Sequence, residues 1–198
     1  NYPEYENKAF DGVYTSDNKL VDDKYKLKDD NLKFYAKYFD KTPADAFTYT
    51  LNDEKNGYIL NSLKADYIGE VEIPDYYKEL PIKKLASGAF ENYTKITKVT
   101  FNSFITEIPD FAFYNCLKLE SVASLSKIKK IGDMAFKSCV SLLEFNFQEA
   151  TELYHIGFSS FMDCVSLKEA IFPESLTSIP SNAFKNNLKL ERIDLKNV

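Results

Sequence analysis

The sequence predicts a mostly β chain with short helical turns: a right-handed repeat solenoid built on a parallel sheet, preceded by a small β segment. Three observations carry this. A motif ending in Phe returns five times at near-constant intervals, four aliphatic columns keep fixed offsets from that Phe, and each unit contains a short stretch that alternates inward and outward residues. A helical period of about 3.6 residues would not hold such columns in step over five units.

Residues 1–42 carry no trace of the repeat and read as the small β segment. They hold Phe10-Asp-Gly-Val-Tyr-Thr15 and, further on, Asn31-Leu-Lys-Phe-Tyr-Ala-Lys-Tyr38, in which Leu32, Phe34, Ala36 and Tyr38 alternate as in a strand. The two pieces resemble the end of the Listeria–Bacteroides (internalin B type) repeat, which carries Phe-x-Gly-Trp-Tyr-Thr and closes on Leu-Tyr-Ala-Lys-Trp. Val13 and Tyr38 stand where that module has tryptophan, and its opening strand is missing, so the resemblance is partial. It implies a β-grasp-like spacer of Gram-positive surface proteins, joined to the rest by Lys41-Thr-Pro-Ala-Asp45.

Residues 43–80 are the expected N-terminal cap of the solenoid. Phe47-Thr-Tyr-Thr-Leu51 and Tyr58-Ile-Leu60 flank Asp53-Glu-Lys-Asn-Gly57. Asn56-Gly57 predicts a hairpin turn, because both residues tolerate positive φ. Tyr67-Ile-Gly-Glu-Val-Glu-Ile-Pro74 and Leu80-Pro-Ile82 then read as a degenerate repeat with a longer loop. An atypical first unit is expected, since the end of a solenoid needs an edge that discourages strand addition.

Residues 81–198 hold the five units. Their motifs are Leu85-Ala-Ser-Gly-Ala-Phe90, Ile108-Pro-Asp-Phe-Ala-Phe113, Ile131-Gly-Asp-Met-Ala-Phe136, Ile156-Gly-Phe-Ser-Ser-Phe161 and Ile179-Pro-Ser-Asn-Ala-Phe184, with Phe spacings of 23, 23, 25 and 23. Ahead of each motif stands an aliphatic: Ile82, Ile105, Ile128, Leu153 and Leu176. After each Phe come Ile96, Leu119, Leu142, Leu167 and Leu190, and then Val99, Val122, Phe145, Ala170 and Ile193. A short strand at this last pair of columns cannot bury its apolar side alone, so copies must stack into a parallel sheet over one core. The Ala-Phe segment is a tight turn or short 3₁₀ or α piece, its Phe filling the gap between sheet and outer wall. The two extra residues of the 25-residue interval fall within 148–152, where a loop absorbs them.

These units resemble the BspA-like leucine-rich repeat, also known from treponemal surface proteins. Its pattern, Leu-x-x-Ile-x-Ile-Pro-x-x-Leu-x-x-Ile-Gly-x-x-Ala-Phe-x-x-Cys, is followed nearly throughout by Leu167-Lys-Glu-Ala-Ile-Phe-Pro-Glu-Ser-Leu-Thr-Ser-Ile-Pro-Ser-Asn-Ala-Phe184. The match runs over roughly residues 58–198 and makes the predicted architecture a leucine-rich-repeat solenoid. The resemblance implies an extracellular, cell-surface-attached bacterial protein engaged in adhesion to a host or matrix protein or glycan.

Chemistry-bearing residues are few. Cys116, Cys139 and Cys164 sit three after each Phe, in a column that also holds Tyr93 and Asn187. One thiol per 23 or 25 residues is not metal-ligand spacing, and a ladder of small buried side chains explains it. The single histidine, His155, reads as an exposed turn residue without a nucleophile placed beside it. The Asp-rich stretch of residues 17–30 lacks the central Gly and terminal Glu of a calcium loop. No Gly-x-Gly-x-x-Gly or Gly-Lys-Ser/Thr occurs. Neither a catalytic residue, a metal site nor a cofactor site is expected, and the chain is not read as an enzyme.

Of the 25 basic residues only Arg192 is arginine, and net charge is −5, which argues against a nucleic-acid partner. No run is long and apolar enough for membrane insertion. The opening Asn-Tyr-Pro-Glu-Tyr lacks both Met and a leader-like apolar run, and residues 190–195 end the repeats without a capping unit, so a trimmed piece of a longer protein is expected.

Binding is then expected on the broad sheet face. Its candidates are the outward residues Lys98, Thr100, Ser121, Glu144, Asn146, Glu169, Ile171, Arg192 and Asp194, with Ala123 in the same set and Thr97, Glu120, Leu143, Lys168 and Glu191 flanking them. Such mixed charge with apolar Leu143 and Ile171 suits a protein or glycan better than a polyanion. The alternative is a structural stalk fragment of a larger surface protein whose binding site lies elsewhere.

Overall fold

The computed structural model describes the backbone of residues 8–15 and 34–40 and, with side chains, residues 42–64 and 67–195. The chain divides into two units, Asn1–Pro43 and Ala44–Val198. In the first, strand β1 (Lys8–Thr15) pairs antiparallel with β2 (Phe34–Asp40), with one irregularity between Phe10 and Gly12. The alternating segment predicted at Asn31 to Tyr38 therefore appears as β2; its first three residues and the Asp-rich stretch of 17–30 lie outside the described residues.

The second unit opens on a 3₁₀ turn (Ala44–Ala46), then β3 (Phe47–Leu51), β4 (Tyr58–Leu63), β5 (Gly69–Glu72), β6 (Tyr76–Tyr77) and β7 (Leu80–Leu85). β3 and β4 form the expected hairpin, and a four-stranded sheet in the order β3-β4-β7-β6 results. The turn differs from the expectation. Positive φ falls on Lys55 (54°), not on Asn56 or Gly57. The loop is longer than two residues and is closed by Asn52, whose N–H donates to Gly57 O at 2.9 Å and whose side chain accepts from Asn56 N–H at 3.0 Å. Gly57 is needed for space instead: a Cβ there would lie 2.8 Å from the Lys83 side chain and 3.0 Å from Pro81 O.

Three tyrosines pack together on this sheet. Tyr49 stacks on Tyr77 at 4.3 Å, and Tyr58 meets both rings edge-on. The Tyr49 hydroxyl donates to Ala44 O at 2.8 Å. Burial, reinforced by Tyr77 and Asp45, raises its pKa well above the usual phenol range. Phe47 sets its edge against Phe90 of the first Ala-Phe motif.

After β7, sheet strands and two-residue wall strands alternate up to β14, and a further sheet strand follows: β8 (Ile96–Thr100), β9 (Glu107–Ile108), β10 (Ser121–Ala123), β11 (Lys130–Ile131), β12 (Glu144–Asn146), β13 (His155–Ile156), β14 (Glu169–Ile171) and β15 (Arg192–Asp194). All pairings among β5 and β8–β15 are parallel. The outer wall is the row β9-β11-β13, and the main sheet comprises β10-β8-β5 and β12-β14-β15.

The Ala-Phe segments are successive hydrogen-bonded turns that do not run on into helix. Even-numbered residues of the second motif bond back three places, as Ala112 N–H to Pro109 O and Tyr114 N–H to Phe111 O. The odd-numbered ones bond to the next repeat, as Phe111 N–H to Asp133 O, Phe113 N–H to Ala135 O and Asn115 N–H to Lys137 O. Left-handed residues bracket each turn and stop helix propagation: Gly88, Phe111, Met134, Ser159 and Asn182 before it, Asn92, Asn115, Ser138, Asp163 and Asn186 after it.

The columns become ladders in the core. Phe90, Phe113, Phe136, Phe161 and Phe184 stack at successive centroid separations of 5.1, 5.0, 5.4 and 5.2 Å, with planes within 12° of parallel. Phe101, Phe145 and Phe172 meet this stack edge-on, the arrangement that ring quadrupoles favour. Each cysteine thiol donates to the carbonyl of the preceding motif Phe: Cys116 to Phe90, Cys139 to Phe113 and Cys164 to Phe136, at 2.9–3.1 Å. Tyr93 fills the same place in the first unit, its hydroxyl donating to Leu63 O. The cysteines are free and buried, as a structural ladder requires. Where the fourth column is intact, at Val99, Phe145 and Ala170, burial is complete to within 1%; Val122 and Ile193 are partly exposed.

Candidate binding face

The main sheet turns alternate residues away from the core, because successive side chains of a strand point to opposite faces. Lys98 stands beside Ser121, and Thr100 beside Ala123. Glu144, Glu169 and Arg192 form one row, and Asn146, Ile171 and Asp194 the next. Not one of the nine candidates is buried; Glu144, Asn146 and Arg192 are exposed. They fall into two groups, since Lys98, Thr100 and Ser121 belong to the β5-β8-β10 half and the other six to the β12-β14-β15 half.

Two residues of this face escape the sequence reading. β5 lies parallel to β8 and brings Glu70 beside Lys98 and Glu72 beside Thr100, the Lys98 ammonium reaching Glu70 at 3.5 Å. The alternation Glu70-Val71-Glu72-Ile73, with Val71 and Ile73 buried, was the available signal. Assigning the stretch to the cap hid it.

Charge on the face is uneven. Arg192 bridges Glu169 (2.8 Å) and Asp194 (2.9 Å), an exposed network whose pairs each contribute roughly 0.2–1 kcal/mol. Glu120 and Glu144 make no salt bridge among the described residues. Both line a depression of about 490 Å³ together with Ser121, Leu143, Lys168 and Glu169. Leu143 is 47% exposed there, an apolar contact among three carboxylates and one ammonium. This arrangement can offer hydrogen bonds, negative charge and a small apolar surface to a ligand.

The face also has a seam. At the entry side the rungs run unbroken: Glu120 N–H to Thr97 O, Leu143 N–H to Glu120 O, Lys168 N–H to Leu143 O and Glu191 N–H to Lys168 O. At the exit side they run Ile73 to Thr100, Phe101 to Ala123, Phe147 to Ile171 and Phe172 to Asp194. Among the described residues no bond joins Ser124 N–H to Asn146 O, the rung that would complete the series. Ser124 stands where the other units carry Phe101, Phe147 and Phe172, and its φ is 61°. Leu125 takes up the inward place instead, at 8% exposure, and Val122 rolls partly outward. A groove of about 280 Å³ opens beside it, lined on one side by residues 122–126 and on the other by Asn146, Gln148, Glu149 and Ala150.

The remaining polar residues do not converge on a reaction centre. His155 is exposed on β13, in line with Lys130 and Glu107. Among the described residues no three His, Cys, Asp or Glu side chains gather as metal donors. No helix among them is long and apolar enough to cross a membrane.

Comparison with known proteins gives a consistent picture. The family description "BspA type Leucine rich repeat region" matches residues 64–191 in six copies, one more than the five Ala-Phe units. A leucine-rich-repeat protein from T. pallidum superposes with a TM-score of 0.71 at 31% identity, over 76% of this chain and 69% of its own. One from Bacteroides ovatus gives 0.68 at 29% identity, over 78% of this chain. A leucine-rich cell surface protein from Faecalibacterium prausnitzii gives 0.67 at 26%, again over 78%. The chain spans only 41% and 42% of the last two proteins. A search of curated proteins returns no match. Leucine-rich-repeat solenoids are interaction scaffolds, and on the six-copy match this chain belongs to the BspA-type leucine-rich-repeat family.

Proposed function

We propose that the chain is an extracellular ligand-binding module of a bacterial surface protein, recognising a host or matrix protein or glycan through its main sheet face. The observation that carries the reading is the depression around Leu143, where an exposed apolar side chain lies among Glu120, Glu144, Glu169 and Lys168. Small apolar anchors rimmed by polar groups are how interfaces concentrate their energy. The described likeness to a cell surface protein supports the location, as does the resemblance of the first 42 residues to a surface-protein spacer.

The test is binding of the whole chain to immobilised collagen and laminin and to a panel of neutral and sulfated glycans. Saturable binding that weakens at least tenfold in Leu143→Asp and not in the wall variant Lys130→Asp, on β11, supports the reading. Absence of saturable binding to every probe, or equal loss in both variants, overturns it. The competing reading, a stalk with its binding site elsewhere, draws on the 41% and 42% coverage of two longer relatives. Binding by a longer parent that survives deletion of this segment would favour the stalk.

A further inference from the structure

The seam between β10 and β12 is built from two departures of the sequence from its own repeat, and both face one groove. On one side Ser124 replaces the column phenylalanine and turns left-handed, withdrawing its N–H from the ladder. On the other, the unit with two extra residues supplies Gln148, Glu149 and Ala150. Regular repeats would close this gap; the break removes one main-chain rung from a ladder intact on both flanks. Breaches of local regularity of this kind concentrate at functional positions.

We infer that the groove receives one extended peptide segment of the bound partner, deepening the proposed function on which this inference rests. The missing rung leaves Ser124 N–H as a donor and Asn146 C=O as an acceptor facing the same opening. A single peptide group of an extended chain carries the complementary pair, its C=O for Ser124 and, pointing the opposite way, its N–H for Asn146, which is the logic of strand addition. The lining from Val122, Ala123, Leu125 and Ala150 takes a small apolar side chain, and its volume of about 280 Å³ suits one side chain and not a second layer of structure. No aromatic ring lines it, so it lacks the stacking platform that a sugar ring would use. Charge sets the segment's polarity. Glu149 in the groove and Glu120, Glu144 and Glu169 in the neighbouring depression outnumber Lys168, so the segment carries Lys or Arg next to its apolar residue.

The experiment uses the whole 15N-labelled chain and pools of synthetic decapeptides, in which a Leu neighbours either Lys or Glu, with the glycan panel in parallel. Lys pools should shift the Ser124 and Asn146 amide resonances and slow Ser124 amide exchange at least fivefold, while Glu pools leave both unchanged. Ser124→Phe combined with Leu125→Asn copies Phe101-Asn102 of the first unit and should close the groove, weakening Lys-pool binding at least tenfold without lowering Tm. Lys-pool binding that leaves Ser124 untouched, or glycan-only binding, overturns the inference while the sheet-face reading stands. Binding to no peptide, matrix protein or glycan overturns both. Should the double variant fail to fold, the wild-type Ser124 amide decides alone.

Discussion

Phe136 lies face to face with Phe113, centroids 5.0 Å apart and planes 12° from parallel, and its other face meets Phe161 at 5.4 Å. The edge of Phe145 closes the side at 4.8 Å. A ring held on three sides in a core shared by neighbouring repeats leaves a cavity that cannot collapse when it is removed. Phe136→Ala should cost about 3–5 kcal/mol in a denaturant melt. Unchanged stability would mean that the stack is not the core of the solenoid.

The thiol ladder makes stability fall at alkaline pH. Burial pushes Cys116 and Cys164 up to about 12, and raises Cys139 well above the ordinary thiol value of 9.0. In the unfolded chain the thiols ionise first, so the unfolded state binds fewer protons between about pH 9 and 12. Stability is full below that window and declines through it by about 1.4 kcal/mol per pH unit for each cysteine. Cys139→Ala should flatten the slope by about one such increment while lowering stability near neutral pH. A slope identical to wild type refutes the linkage. In the native state the buried thiols should also resist alkylation at pH 8.

Much of this architecture was legible because it repeats. One Phe or Cys tells little, but Phe90 to Phe184 and Cys116 to Cys164 at fixed offsets can satisfy their spacing only by stacking. Legibility failed where a residue acts through its neighbour in the next turn. Ser124 in a Phe column looks like a tolerated change; that it breaks the rung to Asn146 depends on its positive φ and on Leu125 moving inward, neither written in composition. Asn56-Gly57 misled for a similar reason, since the glycine answers to the approach of Lys83 and Pro81 from a distant strand and not to its own turn. Glu70 and Glu72 were missed because a single alternating stretch, without its Ala-Phe partner in step, carries no phase.

Gly132 offers a test of how tightly the repeats approach. Its N–H donates to Ile108 O at 2.7 Å, and a Cβ built on it would stand 2.5 Å from Asp110 N and 2.3 Å from Asp110 Oδ1. The Asp110 carboxylate cannot step aside freely, because the same Oδ1 accepts from Asp133 N–H at 2.8 Å. Gly132→Ala should therefore cost about 1–3 kcal/mol or more, although alanine is otherwise an ordinary residue at a turn of negative φ. A neutral substitution would mean that the turns sit further apart than described.

Adjacent residues on β12 give the sharpest check on the face. Glu144 is exposed and makes no salt bridge among the described residues, whereas Phe145 is 1% exposed and touches Phe136, Phe147 and Phe161. Glu144→Ala should change stability by under about 0.5 kcal/mol, and Phe145→Ala should cost about 3–5 kcal/mol. The contrast follows from the two-residue period of the strand, because a slip of one residue would exchange the two positions and reverse the order of the costs. Finding Glu144→Ala the more damaging would put the opposite side chains on the surface. The candidates Glu144, Asn146, Glu169, Ile171, Arg192 and Asp194 would then be turned inward with it, and the binding face would have to be sought elsewhere.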